Sequence, residues 1–307
     1  MPAKSNGGDK DKSDGARRSQ LTEKAVPSER PDYVINPKGS LIVIGGRERK
    51  DDGAVILEEV ARRANKDNGR LVILTAATSM PEEVAMDYTD VFQRLGVKKI
   101  DVVDIRQRED AFLDENAEKV CGADVVFFTG GDQLRITSLI GDSPVYRCLL
   151  QNYKDGGTIV GTSAGAAAMS ATMVVSGPDE DSRQMRALDM APGLDLLRDL
   201  VVDSHFAERG RITRLLGAVA QNPRSLGIGI DEDTAIIVER DEYFKVLGSG
   251  AVYIVDGTGI TYTSLAEDRS RMVVSLFNVT LHVLTDGDKY DLVHREPVIP
   301  KVEATAS

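Results

Sequence analysis

The sequence predicts a doubly wound α/β fold built on a mainly parallel sheet. Two observations lead to this prediction. Between residues 39 and 161, short β-branched apolar runs alternate with amphipathic segments that are long enough to be crossover helices. After Leu226 the strand candidates follow one another closely, which is typical of antiparallel strands that extend a sheet or cover one side of it.

The parallel strands are predicted where the apolar runs are continuous, because a strand that is buried on both faces has no polar side. These runs are residues 40–46, 70–75, 100–104, 123–129 and 158–161. Two intervening segments, 54–66 and 82–95, place apolar residues at helical spacing. The alternation predicts helices on both faces of one sheet.

The later strands are predicted at residues 235–239, 243–247, 251–255 and 273–284. Only a few residues separate one from the next, and such spacing favours antiparallel pairing over parallel crossovers. We therefore expect the parallel sheet to gain antiparallel strands toward the C-terminus.

The domain organisation follows from length and composition. Residues 1–36 are rich in Lys, Asp, Ser, Gly and Arg and offer little to bury, so we predict a disordered N-terminal extension. With 307 residues, 41% of them hydrophobic, the chain can fill one large core. We predict a single α/β domain over residues 37–300 and a flexible tail over residues 301–307.

The charge of the chain restricts its partners. It carries 38 Lys and Arg against 49 Asp and Glu, a net charge of -11. An acidic protein is repelled by phosphate backbones and anionic lipid, so neither nucleic acid nor a membrane is an expected partner. No apolar run approaches the roughly 18 residues of a membrane span, and the N-terminus lacks the apolar core of a secretory signal.

The two cysteines, Cys121 and Cys148, lie inside apolar runs and do not have metal-ligand spacing. We therefore expect neither a disulfide framework nor a zinc site. A reducing cytoplasm is the compartment that this cysteine usage favours.

A serine between glycines follows the fifth predicted strand. The segment Gly161-Thr162-Ser163-Ala164-Gly165 leads from this strand into an Ala-rich run. Small residues allow the strained turn of a nucleophile elbow, which would lift the Ser163 hydroxyl out of the sheet. The amide of Ala164 would then face a developing oxyanion. An ordinary strand-to-helix turn fits the same five residues, so the pattern alone leaves both interpretations open.

A serine hydroxyl needs a general base, and the chain has 3 histidines. His282 lies in a predicted strand and His294 in a polar C-terminal segment, where structural or solvated roles are expected. His205 follows the apolar run 200–202, at the end of a strand where sites form in open α/β sheets. We therefore predict that His205 is the base of Ser163.

A third group should orient the imidazole. The acidic stretch 179–181 lies between the serine and the histidine in the chain, and the order serine, acid, histidine is one known arrangement of such a triad. An acidic run is also typical of a solvated loop, and Asp189 and Asp203 are rival candidates. The residues alone do not choose among these carboxylates.

Another glycine turn, Gly130-Gly131-Asp132-Gln133, follows the strand at residues 123–129. Glycines expose backbone amides, and Gly131 is predicted to supply a second oxyanion donor. A phosphate-binding turn would use the same physics. Against that alternative, neither this turn nor Gly45-Gly46 completes a dinucleotide or Walker pattern.

Three arginines, Arg209, Arg211 and Arg214, follow His205 closely. On a helix, Arg211 and Arg214 would share a face. Ordinary surface charge is one interpretation. The other is a clamp for substrate carboxylates beside the base, in a chain whose charge is otherwise acidic.

These segments together resemble the cyanophycinases, which are relatives of the aspartyl dipeptidase peptidase E. The resemblance extends from about residue 39 to about residue 263 and rests on residues 128–133, 161–166, 203–214 and 227–235. It implies a class I glutamine-amidotransferase-like α/β fold, serine exopeptidase activity without a cofactor or metal, and a homodimer. The implied substrate is cyanophycin, a polyaspartate whose side-chain carboxyls carry arginine through isopeptide bonds, and the implied product is the β-aspartyl-arginine dipeptide.

The resemblance also assigns residues by position. It makes Ser163 the nucleophile and His205 the base. The acid of the family is a glutamate, and ungapped spacing from the serine puts Asp181 at that position, with Glu180 beside it. Positions that shape the pocket or hold substrate match Gln133, Asp189, Asp203, Arg209, Arg211 and Arg214. Ser204 stands where typical members have glutamine, and this departure implies a different hold on the aspartyl backbone.

We therefore expect a serine peptidase that degrades cyanophycin through an acyl-enzyme. Two alternatives stay open from the sequence. One is an enzyme for soluble aspartyl or isoaspartyl dipeptides, although the arginine run after the histidine is more typical of cyanophycinases than of peptidase E. The other is a catalytically silent relative that binds peptides through the same turns.

Overall fold

A computed structural model describes residues 37–66, 69–176, 188–240, 242–265 and 274–299. The predicted N-terminal extension (1–36) and C-terminal tail (301–307) therefore lie outside the described residues. The interpretation of residues 37–300 as a single domain stays a prediction.

The described chain alternates strands and helices in its first half and is mostly β in its second half. Its strands are β1 (Ser40–Ile44), β2 (Arg70–Leu74), β3 (Lys99–Val103), β4 (Val125–Phe128), β5 (Thr158–Thr162), β6 (Thr172–Ser176), β7 (Asp189–Pro192), β8 (Leu200–Ser204), β9 (Leu226–Ile230), β10 (Thr234–Glu239), β11 (Tyr243–Gly248), β12 (Val252–Asp256), β13 (Tyr262–Thr263), β14 (Leu276–Phe277), β15 (Thr280–Leu284), β16 (Lys289–Asp291) and β17 (Glu296–Val298). Its α-helices are α1 (Val55–Asn65), α2 (Pro81–Arg94), α3 (Asp114–Cys121), α4 (Gln133–Ile140), α5 (Pro144–Asp155), α6 (Ala164–Ala168) and α7 (Ile212–Gln221).

The main sheet has the strand order β17-β16-β11-β10-β1-β5-β4-β2-β3. The five strands from β1 to β3 in this order are parallel. Beyond β1, strands β10, β11, β16 and β17 are added antiparallel. The predicted α/β fold, a mainly parallel sheet with antiparallel strands toward the C-terminus, is confirmed.

Both faces of the main sheet are buried, as the continuous apolar runs require. Helices α1 and α2 pack on one face, for example through Leu57 and Phe92 against Ile42 and Phe127. The opposite face packs against α3, α4, α5 and α6 and against a second sheet. That core cluster contains Val43 of the main sheet together with Ile228 of the second sheet.

The second sheet has the order β15-β12-β9-β8. Strands β8 and β9 pair in parallel, and β12 pairs antiparallel with both β9 and β15. Helix α7 covers its outer face through Leu215 and Val219. The predicted strand at 273–284 is divided into β14 and β15, because Asn278 between them adopts a left-handed backbone with φ 63°. Asparagine tolerates this conformation better than most residues do.

The end of β1 holds three other parts of the fold in place. Three successive carbonyl groups, those of Ile44, Gly45 and Gly46, accept backbone hydrogen bonds from Ser163 (3.0 Å), His205 (2.8 Å) and Asp233 (2.9 Å). The carboxyl end of β5 and the segments after β8 and β9 therefore meet at one place. No helix in the described ranges is long and apolar enough to cross a membrane.

The cysteines are paired, which corrects the expectation from the sequence. Cys121 ends α3, Cys148 lies in α5, and the two form a disulfide. Helices α3 and α5 pack side by side over the sheet, and this packing brings the two Cα atoms to 4.6 Å, within the range that a disulfide needs. Spacing along the chain carries no information about that contact, so the sequence did not reveal the bond.

Reduction of this disulfide is expected to destabilise the protein. A cross-link over 27 residues limits the unfolded chain and contributes about 3 to 4 kcal/mol in the loop-closure treatment. A reductant should therefore lower the thermal midpoint, as measured by calorimetry, by roughly 10 °C. The Cys121→Ala/Cys148→Ala variant is the control, since its midpoint should not respond to reductant. An unchanged midpoint in the unaltered protein would contradict the prediction.

Candidate active site

Ser163 occupies a strained turn between β5 and α6. Its backbone has φ 53° and ψ -110°, a conformation that non-glycine residues rarely adopt and that the nucleophile elbow requires. The turn brings the backbones of Gly161 and Gly165 into close contact. A Cβ atom on Gly161 would lie 2.4 Å from the carbonyl oxygen of Gly165, so this position requires glycine. The Ser163 side chain is half-buried at the carboxyl end of the sheet.

His205 directly follows β8, also with a positive φ, of 47°. Its side chain is buried, with 7% of its surface exposed, and lies against the backbone of Gly46. A Cβ atom built on Gly46 would lie 2.4 Å from Cε1 of the imidazole. The absence of a side chain at Gly46 therefore leaves the space that the imidazole fills.

Serine, imidazole and a carboxylate form one hydrogen-bonded line. Oγ of Ser163 lies 2.9 Å from Nε2 of His205, and Nδ1 of His205 lies 2.7 Å from Oε1 of Glu232. A carboxylate can only accept, so Nδ1 carries the hydrogen and Nε2 presents a lone pair to the serine hydroxyl. This arrangement can move a proton from the hydroxyl to the imidazole and stabilise the resulting imidazolium.

The carboxylate in this line is one that the sequence analysis did not select. Asp181 and Glu180 lie outside the described residues, and the rivals Asp189 and Asp203 are hydrogen-bonded elsewhere. Glu232 lies two residues after the end of β9 and also forms an ion pair with Arg47 at 3.3 Å. The signal that identified the serine and the histidine, a polar residue just after a buried strand, also marks Glu232.

The environment of His205 lowers the pKa of its imidazole below the ordinary value. Burial is the largest cause, and the positive charges of Arg209 and Arg211 act in the same direction. The hydrogen bond that Nδ1 of His205 donates to Glu232 opposes them by favouring the protonated ring. The net effect keeps Nε2 unprotonated, and so able to accept a proton, at neutral pH.

This lowered pKa predicts the acidic limb of the pH dependence. A general base acts in its neutral form, so activity should fall as the pH drops through the His205 pKa. Because that pKa lies below 6.5, kcat/KM should exceed half of its maximum at pH 6.5 and fall below half only at lower pH. A pH profile measured in buffers of constant ionic strength tests this. A half-maximal point above pH 6.5 would contradict the prediction.

Comparison with known families matches residues 41–246 to Peptidase family S51. The chain belongs to peptidase family S51. It is a serine-type peptidase, and the hydrogen-bonded serine and histidine lie within the matched residues.

Curated relatives of this S51 peptidase include cyanophycinases. The chain is 37% identical over 289 residues to a cyanophycinase from Trichormus variabilis, covering 94% of this chain and 96% of that one. It is 38% identical over 270 residues to a cyanophycinase from Geminocystis herdmanii, covering 87% and 98%. Among solved structures, a peptidase from an acI-B1 actinobacterium shares the fold with a TM-score of 0.63 at 22% identity, covering 83% of this chain and 98% of that one.

The two predicted oxyanion donors of the S51 peptidase belong to turns that lie next to Ser163. Ala164 is the first residue of α6. Gly131 lies in the turn after β4, next to Gly130, on which a Cβ atom would be 3.4 Å from Cβ of Ser163. The structure therefore places the turn after β4 and the start of α6 next to the serine. The sequence analysis had proposed both amides without knowing that these two segments meet.

Two of the three arginines are held by one buried carboxylate. Asp203, only 1% exposed, accepts hydrogen bonds from Arg214 Nε at 2.7 Å and from Arg211 at 3.1 Å. Arg211 also donates to the carbonyl of Ser204 at 2.6 Å. Burial lowers the pKa of Arg211 to about 10, against the opposing charge of Asp203. The Asp203 carboxylate is thus already occupied within the protein.

The remaining predicted residues have separate environments. Gln133 begins α4 and donates from Nε2 to the carbonyl of Val174 in β6 at 2.8 Å, so it holds the edge of the neighbouring hairpin. Asp189 is exposed and accepts a hydrogen bond from the Ser176 hydroxyl at 2.6 Å. Arg209 is exposed near His205, whose pKa its charge lowers. In the ranges that the structure describes, no group of His, Cys, Asp and Glu is suited to a metal ion.

Proposed function

We propose that this S51 peptidase is a cyanophycinase. In this proposal it hydrolyses cyanophycin to β-aspartyl-arginine dipeptides through an acyl-enzyme, with Ser163 as nucleophile, His205 as general base and Glu232 as the acid that orients it. The hydrogen-bonded line of these three side chains is the observation that carries the chemistry. The names of the relatives, at 36–38% identity, support the choice of substrate.

In the first half of the reaction, Nε2 of His205 takes the proton of the Ser163 hydroxyl. The oxygen attacks the α-carbonyl carbon of an aspartyl residue near the end of the polymer. The carbonyl oxygen gains negative charge, and the amides of Ala164 and Gly131 stabilise it. The imidazolium then gives its proton to the departing amine, and an ester joins the aspartyl group to Ser163.

In the second half, water takes the place of the departed amine. His205 accepts a proton from the water as the water attacks the ester carbonyl. Collapse of this second intermediate returns the proton to Ser163 and releases the carboxylate product. No cofactor or metal takes part in this scheme.

The charged side chains suggest how the substrate is held. The substrate displays the carboxylate of each arginine branch together with its guanidinium group. Because Arg211 and Arg214 are committed to Asp203, we assign the carboxylate contact to the exposed Arg209. For the same reason we assign the guanidinium contact to the exposed Asp189 rather than to Asp203. Gln133, Ser204, Arg211 and Arg214 shape the walls of the site.

Incubation of the purified protein with cyanophycin tests the proposal. The expected product is β-aspartyl-arginine, identified by mass and by comparison with a synthetic standard. Short aspartyl and isoaspartyl dipeptides are assayed in parallel. Turnover of these dipeptides without release from the polymer would replace the proposal by a dipeptidase. The absence of turnover on both substrates would indicate a silent, peptide-binding member.

The remaining parts of the proposal concern assembly and location. We propose a homodimer, which light scattering should detect at twice the chain mass of 33.3 kDa. We also propose a cytoplasmic location, which cell fractionation tests. The sequence analysis favoured the cytoplasm because it expected unpaired cysteines. The Cys121–Cys148 disulfide removes that support, because disulfides persist mainly in oxidising compartments.

A further inference from the structure

A buried carboxylate contacts the last residue of β5, the strand that precedes Ser163. Glu48 follows the end of β1 and is 5% exposed. Its Oε1 accepts a hydrogen bond from the Tyr88 hydroxyl of α2 at 2.5 Å, and its Oε2 accepts one from the Thr162 hydroxyl at 2.7 Å. Both partners are buried, at 6% and 3% exposure, so this group is separate from the open part of the site.

Burial of the Glu48 carboxylate costs free energy, so packing alone does not explain why a carboxylate occupies this position. Removing a carboxylate from water is expensive, and an apolar residue of similar size would fill the space with less loss. Two hydroxyl donors from separate elements offset this loss. Burial, followed by the nearby Glu48 charge, raises the pKa of Tyr88 well above its ordinary value, so its hydroxyl keeps the proton that it donates.

The position of Thr162 connects this group to the chemistry. Thr162 is the last residue of β5 and directly precedes Ser163. The strained serine is followed by α6, a five-residue helix that contains only alanine and glycine. The alanines and glycine of α6 are buried, but their side chains cannot form hydrogen bonds. Polar contacts reach the turn from its N-terminal side, where the Ser163 amide donates to the Ile44 carbonyl and the Thr162 hydroxyl donates to Glu48.

We infer that Glu48 is a positioning residue that acts through Thr162 on Ser163. By joining β5, the segment after β1 and helix α2, it fixes the serine oxygen at the distance from His205 that proton transfer needs. It does not touch the imidazole, so its removal should displace the nucleophile without changing the titration of the base. This inference rests on the proposed role of Ser163 as nucleophile.

The test compares Thr162→Val, Thr162→Ser and Glu48→Gln. Valine keeps the shape of threonine but removes the donor, while serine keeps the donor. Because a small misplacement of a reacting group can lower a rate by up to about 100-fold, Thr162→Val and Glu48→Gln should lower kcat on cyanophycin about 10- to 100-fold. KM and the acidic limb of the pH profile should not change. Thr162→Ser should retain most of the activity.

A second measurement separates positioning from folding. A fluorophosphonate labels an activated serine, and its rate of reaction with Ser163 should fall in parallel with kcat. The matched control is Asp256→Asn, which also converts a buried carboxylate to an amide, at the end of β12 remote from His205. Thermal midpoints are measured for all variants, and the control should keep the activity and labelling rate of the unaltered protein.

Three outcomes would overturn the inference. One is labelling and turnover of Thr162→Val at the rate of the unaltered protein. Another is equal loss in Thr162→Ser and Thr162→Val. The third is activity that falls only in proportion to the folded fraction. If the unaltered protein itself neither reacts with the fluorophosphonate nor hydrolyses a peptide, the proposed function fails instead, so the two failures are distinguishable.

Discussion

Replacement of Ser163 by alanine is expected to lower kcat on cyanophycin by about 10⁴- to 10⁶-fold. Alanine retains the small size that the turn between β5 and α6 needs and removes the oxygen that lies 2.9 Å from Nε2 of His205. Without that oxygen no acyl-enzyme can form. The residual rate would come from the oxyanion donors acting on water.

The measurement is release of β-aspartyl-arginine under single-turnover conditions, together with mass spectrometry of the protein after exposure to a fluorophosphonate. Substrate binding, measured by sedimentation with the polymer, should not weaken, since the hydroxyl acts in the reaction and not in holding the ground state. The thermal midpoint should remain near that of the unaltered protein, because one half-buried hydroxyl group is lost.

Ser138→Ala is the matched control for this replacement. Ser138 lies in α4, and its hydroxyl donates to the carbonyl of Arg135 in the same helix. Its removal should leave turnover and labelling unchanged. If Ser163→Ala retained ordinary turnover, or if the fluorophosphonate still modified it, the nucleophile would be another residue.

Much of the fold could be predicted because a parallel sheet buried on both faces leaves a clear record in the sequence. The buried positions of β1, β2 and β5 are apolar except for Thr158 and Thr162 in β5. The same logic located Ser163 and His205, since both follow buried strands. The hydrogen bond between them also requires the end of β5 in the main sheet to meet the end of β8 in the second sheet, and the Ile44 and Gly45 carbonyls at the end of β1 hold both ends.

The features that sequence reasoning missed depend on contacts between distant segments. Glu232 lies 27 residues beyond His205, whereas the argument from the order serine, acid, histidine considered only carboxylates between Ser163 and His205. The segment 227–235, which contributes to the family resemblance, contains Glu232, but composition alone did not distinguish this carboxylate from its acidic neighbours. The Cys121–Cys148 disulfide was missed because it depends on the packing of α3 against α5.

Glu232→Gln is expected to lower kcat by about 10⁴-fold while leaving the fold intact. The variant keeps the shape of the side chain but removes the charge that stabilises the imidazolium form of His205. It also offers an N–H group to Nδ1, which favours the tautomer with hydrogen on Nε2, and that tautomer cannot accept the serine proton. The loss should appear in kcat for the hydrolysis of cyanophycin, with little change in KM.

The pH profile gives an independent check on Glu232. Its hydrogen bond raises the pKa of His205, so the imidazole of Glu232→Gln should titrate at a lower pH. The acidic limb of the residual activity should therefore move to lower pH. If the replacement instead exposed His205 to solvent, the pKa of the imidazole would rise and the limb would move to higher pH. NMR titration of His205 would show the same displacement without requiring turnover.

Two comparisons decide whether the effect belongs to this carboxylate. Asp291→Asn is the control, because Asp291 also accepts from a histidine Nδ1, that of the exposed His294 at 2.9 Å, and its loss should not alter turnover. Asp181→Asn tests the position that the sequence favoured. A loss of about 10⁴-fold in Asp181→Asn, with Glu232→Gln near normal, would transfer the orienting role to Asp181. Glu232 would then bind His205 only in a non-productive arrangement, and the hydrogen-bonded line would not be the catalytic one.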